Sequence, residues 1–250
     1  MTETPPNVRL ALIGYGIMGR EIERLAPLEQ CSVVERHTQR HPFSGSSSVG
    51  VDVAIDFTRP ETALENIRLV MEAGVPLVVG TTGWYTNIDE VRDMVARANG
   101  RLVYGANFSI GVNLFLDIVR HAARILASYH AYDAAIHELH HARKADSPSG
   151  TALTIASILI NELPRKASLL VDASHARIDP SVLHVSSTRV GGIPGTHTIY
   201  FDSEADTIEL THRARGRAGF ALGALAAARW IVDQPPGMYR FEEDVMSREA

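Results

Sequence analysis

Cysteine is nearly absent from this sequence. Cys31 is the only one in 250 residues, so no intrachain disulfide can form, and the chain reads as a protein of a reducing cytoplasm. Basic charge is in deficit: 24 Lys and Arg stand against 29 Asp and Glu, a formal net charge of -5, which gives no electrostatic basis for a nucleic-acid partner. No apolar run approaches the roughly 20 residues that a membrane helix needs, so no membrane partner is expected. The opening residues, Met-Thr-Glu-Thr-Pro-Pro-Asn, lack the basic and apolar regions of a secretory signal. Internal repeats and low-complexity tracts are missing too. What is present is the composition of a globular protein, 45% hydrophobic and 21% charged, with enough length for a sizeable core in one or two domains.

From residue 8 onward, short apolar runs alternate with amphipathic stretches. Residues 8–13, Val-Arg-Leu-Ala-Leu-Ile, break into Gly14-Tyr15-Gly16-Ile17-Met18-Gly19, and an amphipathic helix is predicted over 17–26. Strand, glycine turn and helix form a dinucleotide-binding unit. Gly14 permits the tight turn, Gly16 lets the backbone approach a pyrophosphate, and Gly19 lets the helix pack on the strand. A second strand over 32–34 ends in Glu35-Arg36. The acidic group there is suited to the ribose hydroxyls of NAD and the arginine to the 2′-phosphate of NADP, so use of NADPH, NADH or both is expected. Residues 37–50 read as a polar loop.

Strands predicted over 52–55, 76–79 and 101–104 lead into Asp56-Phe57-Thr58, Gly80-Thr81-Thr82-Gly83 and Gly105-Ala106-Asn107-Phe108. Helices are predicted over 60–73 and 87–98. This alternation implies an α/β fold with a Rossmann-type, doubly wound parallel sheet, whose ligands sit beyond the carboxyl ends of the strands. Gly80, Thr81 and Thr82, with Gly105, Ala106, Asn107 and Phe108, are therefore candidates for the nicotinamide side of the crevice. A long amphipathic helix over 110–128 and a strand over 132–139 follow. After a weakly patterned region come alternating runs at 182–190, 196–201 and 207–212, the last two joined by a hairpin turn at 202–206. They predict a second α+β domain with a mixed, largely antiparallel sheet. An alanine-rich helix over 218–232 returns to the first domain.

The densest chemistry lies in Glu138-Leu139-His140-His141-Ala142-Arg143-Lys144-Ala145-Asp146-Ser147-Pro148-Ser149-Gly150-Thr151. Ser149 reads as the N-cap of a helix opened by Gly150 and Thr151 and running to about residue 161. Free amides at such an opening attract carboxylates or phosphates, and two imidazoles and an ammonium just upstream add donors. The segment is expected to receive a small anionic substrate and deliver a proton to it, with Asp146 orienting the loop. A rival reading is HExxH, from His137, Glu138 and His141, with Glu162 as a further zinc ligand. That pattern requires a helix, where residues four apart share a face. The lysine nearby and the nucleotide-binding half oppose it, and no metal is expected.

In these residues the chain resembles the 4-hydroxy-tetrahydrodipicolinate (dihydrodipicolinate) reductase family of the diaminopimelate route to lysine. The resemblance rests on ELHHARKADSPSGTAL, the glycine turn, Glu35-Arg36, AIDFTRPE, VVGTTGW, GANFSIGVN, RVGGIPGTHTIYF and ELTHRARGRAGFALGA. Ser147 stands where alanine is usual before the proline, and the loop after Arg36 is short. The resemblance implies an NAD(P)-binding domain over 1–111 and 217–250. It also implies a substrate-binding and oligomerisation domain over 112–216 that builds a homotetramer. His140 corresponds to the proton donor and Lys144 to a second donor, while His141, Lys144, Gly150 and Thr151 correspond to contacts with a small dicarboxylate substrate. Dinucleotide contacts correspond to Gly14, Tyr15, Gly16, Ile17, Met18, Glu35, Arg36, Gly80–Thr82 and Gly105–Phe108. Another nicotinamide-dependent oxidoreductase of a small dicarboxylate, or a non-catalytic NAD(P)-binding sensor, is the alternative.

Overall fold

The structure, a computed structural model, describes residues 7–45, 50–171 and 173–246. The portion of the predicted polar loop at 46–49 lies outside the described residues, as do position 172 of the weakly patterned region and the terminal residues 1–6 and 247–250. The chain divides into two compact units, Met1–Asn113 with Arg217–Ala250, and Leu114–Gly216.

The first unit is built on a six-stranded sheet. Its strands are β1 (Val8–Ile13), β2 (Cys31–His37), β3 (Val53–Asp56), β4 (Leu77–Val79) and β5 (Arg101–Tyr104), with β11 (Gly237–Arg240) at one edge. The order is β11-β5-β4-β3-β1-β2 and every pairing is parallel. A parallel sheet of this kind needs apolar cover on both faces, which is why β1 is buried at five of its six positions. Leu10 and Leu12 face α1 (Ile17–Leu25) and α6 (Ala218–Ile231), while Ala11 and Ile13 face α2 (Pro60–Glu72) and α3 (Ile88–Arg97). The alanines of α6 keep that helix close to the sheet. At Gly223 a Cβ would stand 1.8 Å from the Phe108 carbonyl oxygen, so only glycine fits there.

In the second unit, β6 (Asp133–His140), β7 (Ser168–Leu170), β8 (Val182–Arg189), β9 (Thr196–Asp202) and β10 (Thr207–Arg213) form a sheet in the order β10-β9-β6-β8-β7. The β6–β8 and β7–β8 pairings are parallel, and β6–β9 and β9–β10 are antiparallel, so the sheet is mixed. The helices α4 (Ile110–Leu126) and α5 (Gly150–Glu162) pack their apolar faces on Ala134, Ile136, Leu183, Val185, Ile199 and Phe201. Side chains alternate across a strand, so Glu138 and His140 share the helix-covered face with Ile136. His137, Leu139, Thr196, Thr198 and Tyr200 point to the opposite face, which no described helix covers.

Among the strands, β7 and β11 escape the sequence pattern and β2 runs beyond it. β7 and β11 have three and four residues, too few to show a period. β2 runs on through Glu35, Arg36 and His37, polar residues on an edge strand where alternation is no guide.

Candidate functional site

In the first unit the glycine turn is set by backbone sterics. Gly14 has φ +94, and a Cβ on it would lie 2.4 Å from the Phe57 carbonyl oxygen. A Cβ on Gly19 would lie 2.5 Å from the Gly14 carbonyl oxygen, which fixes α1 against the turn. A Cβ on Gly16 would meet nothing within 4 Å, so on that side the backbone faces open space. No side chain caps α1, and the amides of Ile17 and Met18 have no acceptor among the described residues. Open backbone at a helix N-terminus fits a pyrophosphate.

Two cavities meet at this turn, sharing Gly16, Phe57 and Thr58. One of about 580 Å³ is lined by Gly14, Tyr15, Gly16 and the segment His37–Arg40; the other, of about 350 Å³, by Gly16, Ile17, Met18, Gly80, Thr81 and Thr82. They lie where β1 and β3 lead away in opposite directions along the sheet order, the switch point at which such sheets bind ligands. The buried carboxylate of Asp56 ties these turns together. It accepts hydrogen bonds from the Thr58 amide (2.8 Å), Thr58 Oγ1 (2.7 Å), Thr81 Oγ1 (2.8 Å) and Asn66 Nδ2 (2.8 Å). Burial pushes its carboxyl up, and these hydrogen bonds only partly oppose that.

The other expected cofactor residues do not line these cavities, although Glu35, Arg36 and Phe108 each contact a residue that does. The register places Glu35 opposite Ala11 and Arg36 opposite Leu12, so successive side chains leave on opposite faces of β2. Glu35 is paired with His37 Nε2 at 2.9 Å, and Arg36 turns to Glu23 on α1, beside the Tyr15 ring. The Arg36 guanidinium and the Tyr15 hydroxyl hold the Glu23 carboxyl below its usual range. Neither Glu35 nor Arg36 lines either cavity. In the β5–α4 connection the amides of Ala106 and Asn107 donate to Glu242 Oε1 at 2.8 and 3.3 Å, and the Gly105 carbonyl accepts from Tyr85 at 3.1 Å. Phe108 is buried between Phe57 and Phe241.

The second unit assembles its polar cluster around Glu138, which is 0% exposed. Its Oε1 accepts from the Ser149 amide (3.0 Å), Ser187 Oγ (2.9 Å) and Arg189 Nη2 (2.8 Å), while Oε2 faces His140 Nδ1 at 3.3 Å and His197 Nε2 at 3.5 Å. Burial drives the Glu138 carboxyl up, but hydrogen bonds from His197, Ser149, Arg189 and Ser187 outweigh it and hold the group well below the carboxylate range. Ser149 is the N-cap: its Oγ accepts from the Ala152 amide at 3.2 Å and lies 3.1 Å from His197 Nε2. The amides of Gly150 and Thr151 have no acceptor among the described residues. Arg189 also donates to the Asp146 carbonyl at 2.6 Å, and Lys144 Nζ meets Asp146 Oδ1 at 2.8 Å.

His140 is 7% exposed. Burial pushes its imidazole down to about 4; Glu138 opposes this, and His197, Lys144 and Arg189 reinforce it. Burial thus favours the neutral ring over the imidazolium. Gly195 leaves room for that ring, because a Cβ there would come within 3.0 Å of His140 Nε2.

The HExxH geometry fails because His137 and Glu138 lie on β6, a strand, and His141 follows its end. His137 and His141 are separated by four extended residues, roughly 13 Å, and His137 Nδ1 bonds Ser186 Oγ at 2.7 Å on the opposite face from Glu138. Ligand atoms of Glu138, His140 and His197 do lie within 4.8 Å of one another. The Arg189 guanidinium on the same carboxylate already balances its charge and would repel a dication, so this donor set favours proton handling. Of its members, Glu138 could have been found by its two-residue spacing from His140 on a strand. Arg189, Gly195 and His197 lie in the RVGGIPGTHTIYF stretch, but nothing local assigns them to this cluster, and strand pairing brings them to it.

Comparisons with known proteins agree across the whole chain. Residues 8–108 match the family described as dihydrodipicolinate reductase, N-terminus, and residues 111–246 match dihydrodipicolinate reductase, C-terminus. The chain is 34% identical over 240 residues to the 4-hydroxy-tetrahydrodipicolinate reductase of Christiangramia forsetii, covering 96% of this chain and 98% of that one. It is 42% identical over 260 residues to the enzyme of that name from Archaeoglobus fulgidus, covering 94% and 99%. Among solved structures, the dipicolinate-bound dihydrodipicolinate reductase from Paenisporosarcina sp. TG-14 shares the fold with a TM-score of 0.73 at 22% identity, over 95% of this chain and 99% of that one.

Proposed function

The chain belongs to the dihydrodipicolinate reductase family, and from that premise we propose that it reduces 4-hydroxy-tetrahydrodipicolinate to tetrahydrodipicolinate, with loss of water, in lysine biosynthesis. The observation that carries the reading is the Glu138 knot, which gathers His140, Arg189 and the opening of α5 around one buried carboxylate. His140 is the proton donor. Its Nδ1 faces Glu138, which leaves Nε2 for the transfer. Burial favours the neutral ring, and a dianionic substrate beside it shifts the balance toward the protonated form that donates. A carboxylate within about 4–6 Å favours the charged imidazole.

Lys144, whose ammonium is held by Asp146, is the second donor and a substrate contact. His141 and the unengaged amides of Gly150 and Thr151 hold substrate carboxylates through charge-assisted hydrogen bonds, each contributing roughly 1.5–3 kcal/mol. In the first unit, Gly14, Tyr15, Gly16, Ile17 and Met18 hold the dinucleotide diphosphate, with Gly80, Thr81 and Thr82 beside the second cavity. NADPH or NADH, when bound there, supplies the hydride.

The test is oxidation of both cofactors on adding the aldol product of pyruvate and aspartate semialdehyde, made in situ. Loss of nicotinamide absorbance is expected. Nucleotide binding without oxidation would replace this reading with a sensor, and oxidation only with other dicarboxylates would replace the substrate. A homotetramer built through the helix-free face of the second sheet belongs to the same proposal, and a monomer in sedimentation would remove it. A cytoplasmic setting is proposed from the cysteine usage and would be rejected by export in cell fractionation. No helix among the described residues is long and apolar enough to cross a membrane.

A further inference from the structure

His197, on β9, is the member of the buried cluster that proton donation by His140 leaves without a part. It is 4% exposed and stands two residues after Gly195, so the same side of the chain presents both to the His140 ring. The two imidazoles meet edge to face, with centroids 5.2 Å apart. His197 Nε2 lies 3.1 Å from Ser149 Oγ and 3.5 Å from Glu138 Oε2, the oxygen that His140 Nδ1 faces at 3.3 Å. His197 Nδ1 is buried and has no partner among the described residues. A proton on Nδ1 would be an unsatisfied buried donor, so the ring carries its proton on Nε2, toward the hydroxyl and the carboxylate. Ser149, the N-cap of α5, gives its own amide to Glu138 Oε1 at 3.0 Å. His197 thus bridges the opening of α5 to the carboxylate that faces His140.

We infer that His197 is a positioning residue for the reduction: its Nε2–H ties Ser149 to Glu138 and shares Glu138 Oε2 with His140, so that the helix opening and the proton donor keep one geometry. The inference rests on the reading of His140 as proton donor and adds the residue that holds it. The physical reason is competition for one oxygen. With two donors on Oε2, His140 receives only part of the carboxylate's charge, and its proton stays easy to give up. With His197 removed, that charge falls on His140 Nδ1–H alone, which favours the charged imidazole and makes it a weaker acid. Around His140, Glu138 favours the bound proton, while His197, Lys144 in the loop after β6 and Arg189 on β8 disfavour it. His212 on β10 stands opposite His197 in the strand register. Substitution of His197 leaves all the others in place.

Two polar variants of the full-length protein test this without emptying the site. The amide nitrogen of Gln reaches the place of Nε2, whereas that of Asn stops near the place of Nδ1. In His197→Asn, kcat should fall about 10- to 100-fold, the loss of one hydrogen bond to a charged group, with a smaller change in KM. The basic limb of its pH profile should move to higher pH. His197→Gln should recover most of kcat and return the limb. A proton-NMR titration of the His140 ring in both variants reads the same shift without turnover. Equal behaviour of the Gln and Asn variants, or an unmoved limb and titration in His197→Asn, would overturn the inference. Normal turnover in His140→Ala would remove the proton-donor reading and this inference together; a large loss there beside unchanged His197 variants would remove only the inference.

Discussion

Asp56 and Glu138 are both fully buried carboxylates near the ends of strands, one in each unit, yet they are held in opposite ways. Asp56 is surrounded by hydroxyls and amides, with no cation among the described residues, and burial leaves its carboxyl raised. Glu138 is met by a guanidinium and two imidazoles as well as by neutral donors, and its carboxyl is lowered despite the same burial. The first unit uses its carboxylate to knot backbone turns around an open cradle. The second uses its carboxylate to hold Arg189, His140 and His197 together. A site made of backbone tolerates changes of charge; a site made of buried charge does not.

The largest expected effect falls in the second unit. His140→Ala should lower turnover by about a hundred- to ten-thousandfold, the usual worth of a general acid, with dinucleotide affinity intact. Normal steady-state turnover in that variant would take His140 out of its role. Glu138→Ala leaves Arg189 unpaired in a buried setting and should cost on the order of 3–5 kcal/mol of stability in denaturant unfolding. A loss below about 1 kcal/mol would mean that water replaces the carboxylate and that the knot is loose. Lys144→Ala should raise the substrate KM by about one to two decades through the loss of one charge-assisted bond.

The first unit should respond to shape. Gly14→Ala, forced to a positive φ against the Phe57 carbonyl, should cost about 1–3 kcal/mol, whereas Gly16→Ala should fold normally and bind dinucleotide less well. Equal stability losses in the two variants would erase the distinction. Asp56→Asn should be the mildest, within about 1 kcal/mol, because Asn66 can turn its amide to offer oxygen to the new NH₂ group.

Acid sharpens the same contrast. The imidazole of His140 sits near 4 in the folded protein, below its ordinary value of about 6.5, so the unfolded chain binds more protons between those limits. Stability of the second unit therefore falls as pH drops through that window, and the lowered Glu138 carboxyl extends the loss to more acid pH. Asp56 acts with the opposite sign: its raised carboxyl is protonated more readily when folded, which favours the first unit as pH falls. Hydrogen exchange at pH 7 and pH 4.5 should show protection lost preferentially in β6, β8 and β9. Uniform loss in both sheets would contradict the opposed signs.

Legibility followed the same division. The glycine turn, the threonines after β4 and the helix cap at Ser149 are local in the chain, and their steric or capping signal is written in adjacent residues. At Glu35 and Arg36 the sequence showed residue types but not facing: a register irregularity between Leu10 and Ala11 decides which side each takes. The short strands β7 and β11 lack a period to read. Arg189, Gly195 and His197 stand in a stretch that carries the family resemblance, but their place beside Glu138 and His140 is not legible there, because β8 and β9 meet β6 across 40 residues or more of chain.

By itself the sequence determined the alternation of strands and helices, the turn at Gly14 and the concentration of donors from His140 to Thr151. These follow from hydrophobic period and backbone sterics, which act over a few neighbours. Tertiary structure alone decided that His140 is buried with its imidazole pushed down, that the Glu138 carboxyl beside it is held low, and that Arg40 rather than Arg36 lines the larger cavity of the first unit. Proton affinity and charge pairing depend on what lies within a few ångströms in space, and strand register, not chain order, sets those neighbours.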